Sequence, residues 1–136
     1  MNMHMVGSSE LFAFLRVRGM PYRLAHHEPA RTMEDVHIVE ALLDGVVCKN
    51  VLLTDQRGRF FLVMTRPERR LELKRLGSKV CERRLTFASH ADLDRLLGVC
   101  AGAVSCLALI NDHDRLVSLQ AHPRDGPNAR CCLRVW

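Results

Sequence analysis

Hydrophobic residues recur along the chain with two spacings, and each spacing predicts a different kind of element. Spacings of three and four residues predict helices over residues 10–18, 32–43, 68–76 and 89–97. Apolar runs and alternations of two predict strands over residues 21–24, 46–53, 59–64, 85–87, 106–110, 116–119 and 131–136. Helices and strands together predict an α/β fold.

Short polar motifs indicate where three of the helices begin. Thr32 followed by Asp35, and Ser89 followed by Asp92, resemble capping boxes, in which each side chain bonds the backbone of the other residue. Ser9 is predicted to cap the first helix. In the second and fourth helices, the residues predicted to face the protein interior are Val36, Val39, Leu42, Leu43, Leu93, Leu96 and Leu97.

Lys49 places a cation within the mostly apolar strand predicted over residues 46–53. A turn over residues 54–58 is predicted to join this strand to 59–64 as a hairpin. Burial of an unpaired ammonium group is unfavourable, so Lys49 must pair with an acid, reach solvent or face a pocket that binds a ligand. From the residues alone, an ordinary solvent-reaching lysine is the favoured interpretation.

The composition is typical of a single folded domain. The chain has 136 residues, of which 48% are hydrophobic and 26% charged. No apolar run approaches the roughly 20 residues that span a bilayer, and the first residues lack the pattern of a signal peptide. We therefore expect one domain over residues 1–136 and a cytoplasmic location.

Cysteine and histidine usage predicts neither a disulfide framework nor a metal site. Six cysteines are scattered without a CxxC pair, so we expect free thiols. Seven histidines show no ligand spacing with a cysteine pair, and no structural metal or cofactor is predicted.

Positive charge is concentrated in residues 66–84. This segment holds eight Arg and Lys residues and three Glu residues, so its net charge is +5. This value equals the net charge of the whole chain. Such a patch fits a phosphate backbone, because cations that bind phosphates release counterions. A solvated helix face is the alternative interpretation.

Several segments, taken in order, resemble the prolyl-tRNA editing domain family, which includes YbaK-like and ProX-like trans-editing deacylases and the insertion domain of bacterial prolyl-tRNA synthetases. The resemblance extends from about Glu10 to Gln120 and implies a mixed, mostly antiparallel, curved sheet with flanking helices. The segments that carry it read CKNVLLTD at 48–55, FFLV at 60–63, LTFAS at 85–89 and GAVSCLALIND at 102–112.

The resemblance implies hydrolysis of the ester that joins a wrong amino acid to a tRNA, without a covalent intermediate. The family's Lys-Asn pair matches Lys49 and Asn50, and its glycine loop matches residues 102–106. The implied catalytic residues are Lys49, Gly102 and Ser105, with the loop N–H groups binding the carbonyl oxygen. The implied substrate-binding residues are Asn50, Thr32, Ala103, Val104, Cys106 and His122, and the implied tRNA-binding residues are Arg69, Arg70, Lys74 and Arg75.

The sequence departs from the family pattern in two places. Cys106 occupies the usual proline position of the loop, where a packed thiol is favoured over a nucleophile because no histidine is obviously paired with it. Residues 121–136 are expected to be a divergent or truncated tail, in which His122 and Asn128 are candidate remnants of a His-Pro motif and its asparagine.

Three functions remain open at this point. Lys-Asn resembles the alanine-specific branch, so alanine on proline tRNA is the leading substrate. Cysteine on proline tRNA is the second candidate, and a non-catalytic module that binds tRNA or a synthetase is the third. The expected partners are the acceptor end of proline tRNA and prolyl-tRNA synthetase, and the expected state is a monomer or weak dimer.

Overall fold

The computed structural model describes residues 5–80, 84–121 and 131–132, and it confirms the predicted α/β fold with a mixed, mostly antiparallel sheet. The helices are α1 (Ser8–Val17), α2 (Met33–Leu43), α3 (Leu73–Val80) and α4 (His90–Leu97), with a 3-10 helix at Cys106–Asn111. The strands are β1 (Val46–Val47), β2 (Lys49–Thr54), β3 (Phe60–Thr65), β4 (Thr86–Phe87), β5 (Val117–Ala121) and β6 (Cys131–Cys132).

Four strands form the main sheet in the order β4-β2-β3-β5. The predicted hairpin is present, and β2 and β3 pair antiparallel along their whole length, from Lys49 opposite Thr65 to Thr54 opposite Phe60. β4 joins β2 antiparallel, whereas β5 joins β3 parallel. The hairpin turn is held by Asp55, whose carboxylate accepts from the N–H groups of Arg57 and Arg59 at 2.9 and 3.2 Å.

Both faces of this sheet are covered, which explains why its central strands read as continuous apolar runs. On one face, Leu52, Phe60 and Leu62 pack with α4 and the 3-10 helix; we call this the α4 face. On the other, Leu53, Phe61 and Val63 pack with Leu85 and the apolar side chains of α3; we call this the α3 face.

The two predicted capping boxes are present at α2 and α4. Thr32 and Ser89 each accept from the backbone N–H three residues ahead at 3.1 Å, while Asp35 and Asp92 accept from the backbone of the capping residue. The predicted interior face of α4 is also confirmed, since Leu93, Leu96 and Leu97 are buried. In α2 the prediction is wrong for Leu42, which is 52% exposed.

The strand predicted over residues 106–110 is wrong, because this segment is a 3-10 helix. Ser105 begins it, and its hydroxyl accepts from the N–H of Leu107 at 3.3 Å. The segment buries Ala108 against α4, and the place beside β3 is taken by β5. A short apolar run satisfies either structure, so its spacing could not decide between them.

Three further boundaries differ from the predictions. Residues 21–24 form no regular strand, and α1 begins after Gly7 without a side-chain cap rather than at Ser9. The helix predicted over 68–76 runs instead from Leu73 to Val80 and contains Gly77, which is buried. Packing of the apolar side of α3 on the sheet overrides the glycine's low helix propensity.

The strand predicted over residues 46–53 is interrupted at Cys48. β1 leaves the main sheet and pairs parallel with β6, with Val46 opposite Cys131 and Val47 opposite Cys132. Lys49 therefore begins a strand rather than lying in the middle of one. The remainder of the strand predicted to follow Cys132, residues 133–136, lies outside the described residues.

No helix in the described part of the chain has the length and apolar composition needed to cross a membrane, and the longest, α2, has 11 residues.

Candidate functional site

Lys49 and Asn50 lie at the end of the main sheet where β2 begins. Alternation along the strand places Lys49 with Val51 and Leu53 on the α3 face, and Asn50 with Leu52 on the α4 face. The Lys49 side chain is exposed. Of the three environments considered for it (an acidic partner, solvent or a ligand pocket), it therefore reaches solvent.

Asn50 has an unsatisfied hydrogen-bonding group. Its Oδ1 is buried and accepts no hydrogen bond from the residues that the structure describes, while its Nδ2 donates to the carbonyl oxygen of Cys48 over a long distance of 3.5 Å. A buried amide oxygen without a donor is unfavourable by about 1–3 kcal/mol. A substrate N–H or O–H group would satisfy it.

The 102–106 loop lies against the same face as Asn50. Val104 and Cys106 are half-buried against the cluster that contains Leu52 and Leu62. Gly102 has a φ of +88°, and the space where a Cβ would lie is open, so glycine serves the backbone turn here rather than a close approach.

The N–H groups of this loop are not all available to a ligand. Ala103 donates to the carbonyl oxygen of Cys100 at 3.1 Å, and the Ser105 carbonyl accepts from Ala108. Ser105 is fully buried, and its hydroxyl caps the 3-10 helix. The N–H of Val104 has no acceptor among the residues that the structure describes.

The predicted tRNA-binding residues lie on or beside α3. Arg70, Lys74 and Arg75 are exposed, whereas Arg69 is half-buried. The exposed side chains line an open groove together with Glu72 and Ser78. Because α3 packs on the face to which Lys49 also belongs, the structure places Lys49 and these cations on one side of the sheet.

Two predicted substrate-binding residues are not joined to this site by the described contacts. Thr32 is exposed, and its hydroxyl is used as the cap of α2. His122, like Asn128, lies outside the described residues.

Glu40 is a residue of this region that the sequence analysis did not identify. Its carboxylate accepts from the N–H of Val47 at 2.9 Å and contacts Nδ1 of His37 at 3.1 Å. These bonds, the Val47 N–H first, together with the nearby Arg66 guanidinium, lower the pKa of Glu40. Glu40 thus connects α2 to the segment just before Lys49, and its position four residues after Val36 on the inner side of α2 was the available signal.

Within the described ranges, no three His, Cys, Asp or Glu side chains are grouped so as to hold a metal ion. The cysteines whose side chains are described, Cys48, Cys100 and Cys106, form no disulfide bond with one another.

Comparison with known proteins identifies the family. Residues 27–119 match the aminoacyl-tRNA editing domain. This range contains Lys49, Asn50, the 102–106 loop and the main sheet up to Leu119. The chain belongs to the aminoacyl-tRNA editing domain family.

Two relatives carry names that refer to prolyl-tRNA. The prolyl-tRNA editing protein ProX of Acetoanaerobium sticklandii is 33% identical over 92 residues, which are 67% of this chain and 56% of the relative. The prolyl-tRNA synthetase associated domain-containing protein 1 of Danio rerio is 34% identical over 109 residues, or 80% of this chain and 59% of the relative. The chain therefore spans less than two-thirds of the length of each.

Solved structures show the same fold at low sequence identity. The crystal structure of a hypothetical protein aligns with a TM-score of 0.63 at 21% identity, covering 84% of this chain and 73% of that one. A scaffold protein from computational epitope grafting aligns with a TM-score of 0.67 at 16% identity, covering 92% and 78%.

Proposed function

We propose that the chain hydrolyses the ester bond of mischarged tRNA, with alanine attached to proline tRNA as its substrate. The observation that carries this proposal is the pair at the start of β2, where the exposed Lys49 is followed by Asn50, whose buried amide oxygen accepts no hydrogen bond from the described residues. The pair lies within the matched editing domain, and the relatives' names support proline tRNA as the carrier.

Lys49 and Asn50 have complementary roles in this proposal. The Lys49 ammonium binds the phosphate or a ribose oxygen of the terminal adenosine, as a point charge that needs no fixed geometry. Asn50 Oδ1 accepts a hydrogen bond from the ammonium of the amino acid. Since the two side chains lie on opposite faces, the substrate crosses the end of the sheet from the α3 face to the α4 face.

The 102–106 loop supplies the third contact. The Val104 N–H binds the carbonyl oxygen as negative charge develops on it, which is the contribution of an oxyanion site. Gly102 provides the turn, and Ser105 holds the loop in place by capping the 3-10 helix. Water adds to the carbonyl carbon, the ester C–O bond breaks, and the leaving ribose oxygen takes a proton. The neighbouring ribose hydroxyl assists the water, so no protein nucleophile is required.

The cations of α3 bind the tRNA backbone. Arg70, Lys74 and Arg75 are exposed on the side of the sheet from which Lys49 projects, so the acceptor stem lies across α3 with its 3′ end at β2. Phosphate contacts of this kind fix register and orientation without reading sequence.

A panel of esters tests the substrate directly. Alanine, cysteine, serine and proline, each attached to proline tRNA, are incubated with the protein at substoichiometric concentration, and release of the amino acid is measured. We expect alanine to be released fastest and proline to be retained. Faster release of cysteine would change the substrate assignment, and release from none of the four would contradict the deacylase proposal.

A further inference from the structure

Met64 is the residue of β3 that neighbouring elements leave partly uncovered. The other five residues of this strand are buried, from Phe60 at 7% exposure to Leu62 at 0%. Met64 belongs to the α4 face, because it alternates with Phe60 and Leu62. On this face, burial therefore decreases from Leu62 to Met64.

Met64 lies directly opposite Asn50 in the antiparallel pair. Opposed residues of such a pair have Cβ atoms roughly 5 Å apart and point to the same face. The next row of the sheet, Leu52 opposite Leu62, is buried beneath α4 and its neighbours. Asn50 and Met64 therefore form the next row of this face and are half-buried, and Val104 and Cys106 pack on the same face against the cluster that contains Leu52 and Leu62.

We propose that Met64 determines which amino acid the site accepts. A substrate whose ammonium meets Asn50 Oδ1 and whose carbonyl meets the Val104 N–H places its side chain over this row, against the thioether of Met64. The methyl group of alanine fits beside Met64, whereas a branched side chain collides with it. This inference rests on the proposed function, since it assigns the amino-acid subsite of the same reaction.

Replacement of Met64 changes selectivity in a predictable direction. The rate constants kcat/KM for alanine and for valine, each attached to proline tRNA, are measured for wild type, Met64→Ala, Met64→Leu and Met20→Ala. Met64→Ala should raise the valine-to-alanine ratio about tenfold or more, the discrimination that one or two methylenes provide in an apolar pocket. Met64→Leu conserves volume and should keep the ratio within about threefold. Met20, exposed and outside the sheet, is the matched control and should leave the ratio unchanged.

The outcomes separate this inference from the function on which it rests. If wild type removes alanine but Met64→Ala keeps the wild-type ratio, Met64 does not select the substrate and the deacylase proposal still stands. A protein that hydrolyses no ester contradicts the deacylase proposal, and the subsite is then decided by binding. The probes are non-hydrolysable 3′-amide analogues of alanyl- and valyl-adenosine, observed through the methionine methyl resonances of the wild type. A shift of the Met64 methyl that is larger for the alanyl analogue, with Met20 unmoved, supports the subsite, and an unmoved Met64 methyl overturns it.

Discussion

Two asparagines of this chain differ in the state of their hydrogen bonds. Asn111 is 2% exposed; its Oδ1 accepts from the N–H of Val6 at 2.7 Å, and its Nδ2 donates to the carbonyl oxygen of Leu97 at 2.9 Å. Asn50 has a buried Oδ1 that receives no hydrogen bond within the described part of the chain. The first side chain ties the N-terminal segment to the end of α4, and the second is available to a ligand.

This contrast predicts opposite effects of the same truncation. Asn111→Ala should lower the free energy of unfolding by about 1–3 kcal/mol, because it strands the Val6 N–H and the Leu97 carbonyl. Asn50→Ala removes an unsatisfied group and should leave the free energy of unfolding unchanged or slightly higher. Urea unfolding at pH 7 measures both. Equal losses in the two variants would show that Asn50 is structural.

For Lys49, the sequence predicted a functional cation but not its position in the strand. A cation in a mostly apolar strand was recognisable from the residues alone, and its match to the family motif gave it a role. Its place at the start of a strand follows from the interruption at Cys48, before which Val46 and Val47 pair with β6, about 85 residues further along the chain. A long-range pairing of two residues leaves no local pattern.

At the level of elements, features set by a few neighbouring residues could be predicted from the sequence, whereas features set by tertiary packing could not. The capping boxes of α2 and α4 were predicted because each is complete within four residues. The 3-10 helix at Cys106–Asn111 was not, because its apolar run fits a buried strand equally well until α4 and β5 occupy their places. The same holds for α3, whose limits follow from packing on the sheet.

The capping carboxylates predict how stability depends on pH. Hydrogen bonds lower the pKa of both, chiefly from the Arg31 N–H to Asp35 and from the Ser89 hydroxyl to Asp92. Because each folded pKa lies below the unfolded one, the unfolded chain takes up protons first as pH falls. Their contribution to stability is therefore present above about pH 4 and is lost as the pH falls through the folded pKa values.

Urea midpoints between pH 6 and pH 2.5 test this dependence. Wild type should lose stability over the acidic part of the range. The double variant Asp35→Asn/Asp92→Asn should lose less, because it lacks two carboxyl groups whose pKa is lower in the folded than in the unfolded chain. Parallel curves for the two proteins would show that the capping carboxylates do not contribute.

For the whole molecule, the candidate functional residues are divided between the two faces of the main sheet. The sequence predicted the hairpin of β2 and β3 and the basic segment, but it could not show that Lys49 shares a face with α3 while Asn50 shares the other with the 102–106 loop. Nor could it single out Met64, which reads as one more apolar residue of β3 and differs only in its incomplete cover.

The α3 face should account for the salt dependence of tRNA binding. Arg70→Glu/Lys74→Glu should weaken tRNA binding and reduce the slope of log affinity against log salt by roughly 0.7–0.9 for each phosphate that the variant no longer neutralises. Arg16→Glu/Arg57→Glu makes the same change of net charge on exposed residues of α1 and the far end of the hairpin, and it should affect binding less. Filter binding at several salt concentrations compares them. Equal losses of affinity in both variants would show that the α3 patch acts only through the net charge of the protein.

The measurement that tests the central claim most directly is multiple-turnover release of alanine from alanine-charged proline tRNA by wild type and by Lys49→Ala, with thermal unfolding of both proteins. We predict that wild type releases many equivalents of alanine per protein. We predict that Lys49→Ala releases none above background while its melting temperature is unchanged, because Lys49 is exposed and its removal leaves no cavity. A Lys49→Ala protein that unfolds at the wild-type temperature and still releases alanine at the wild-type rate would contradict the account.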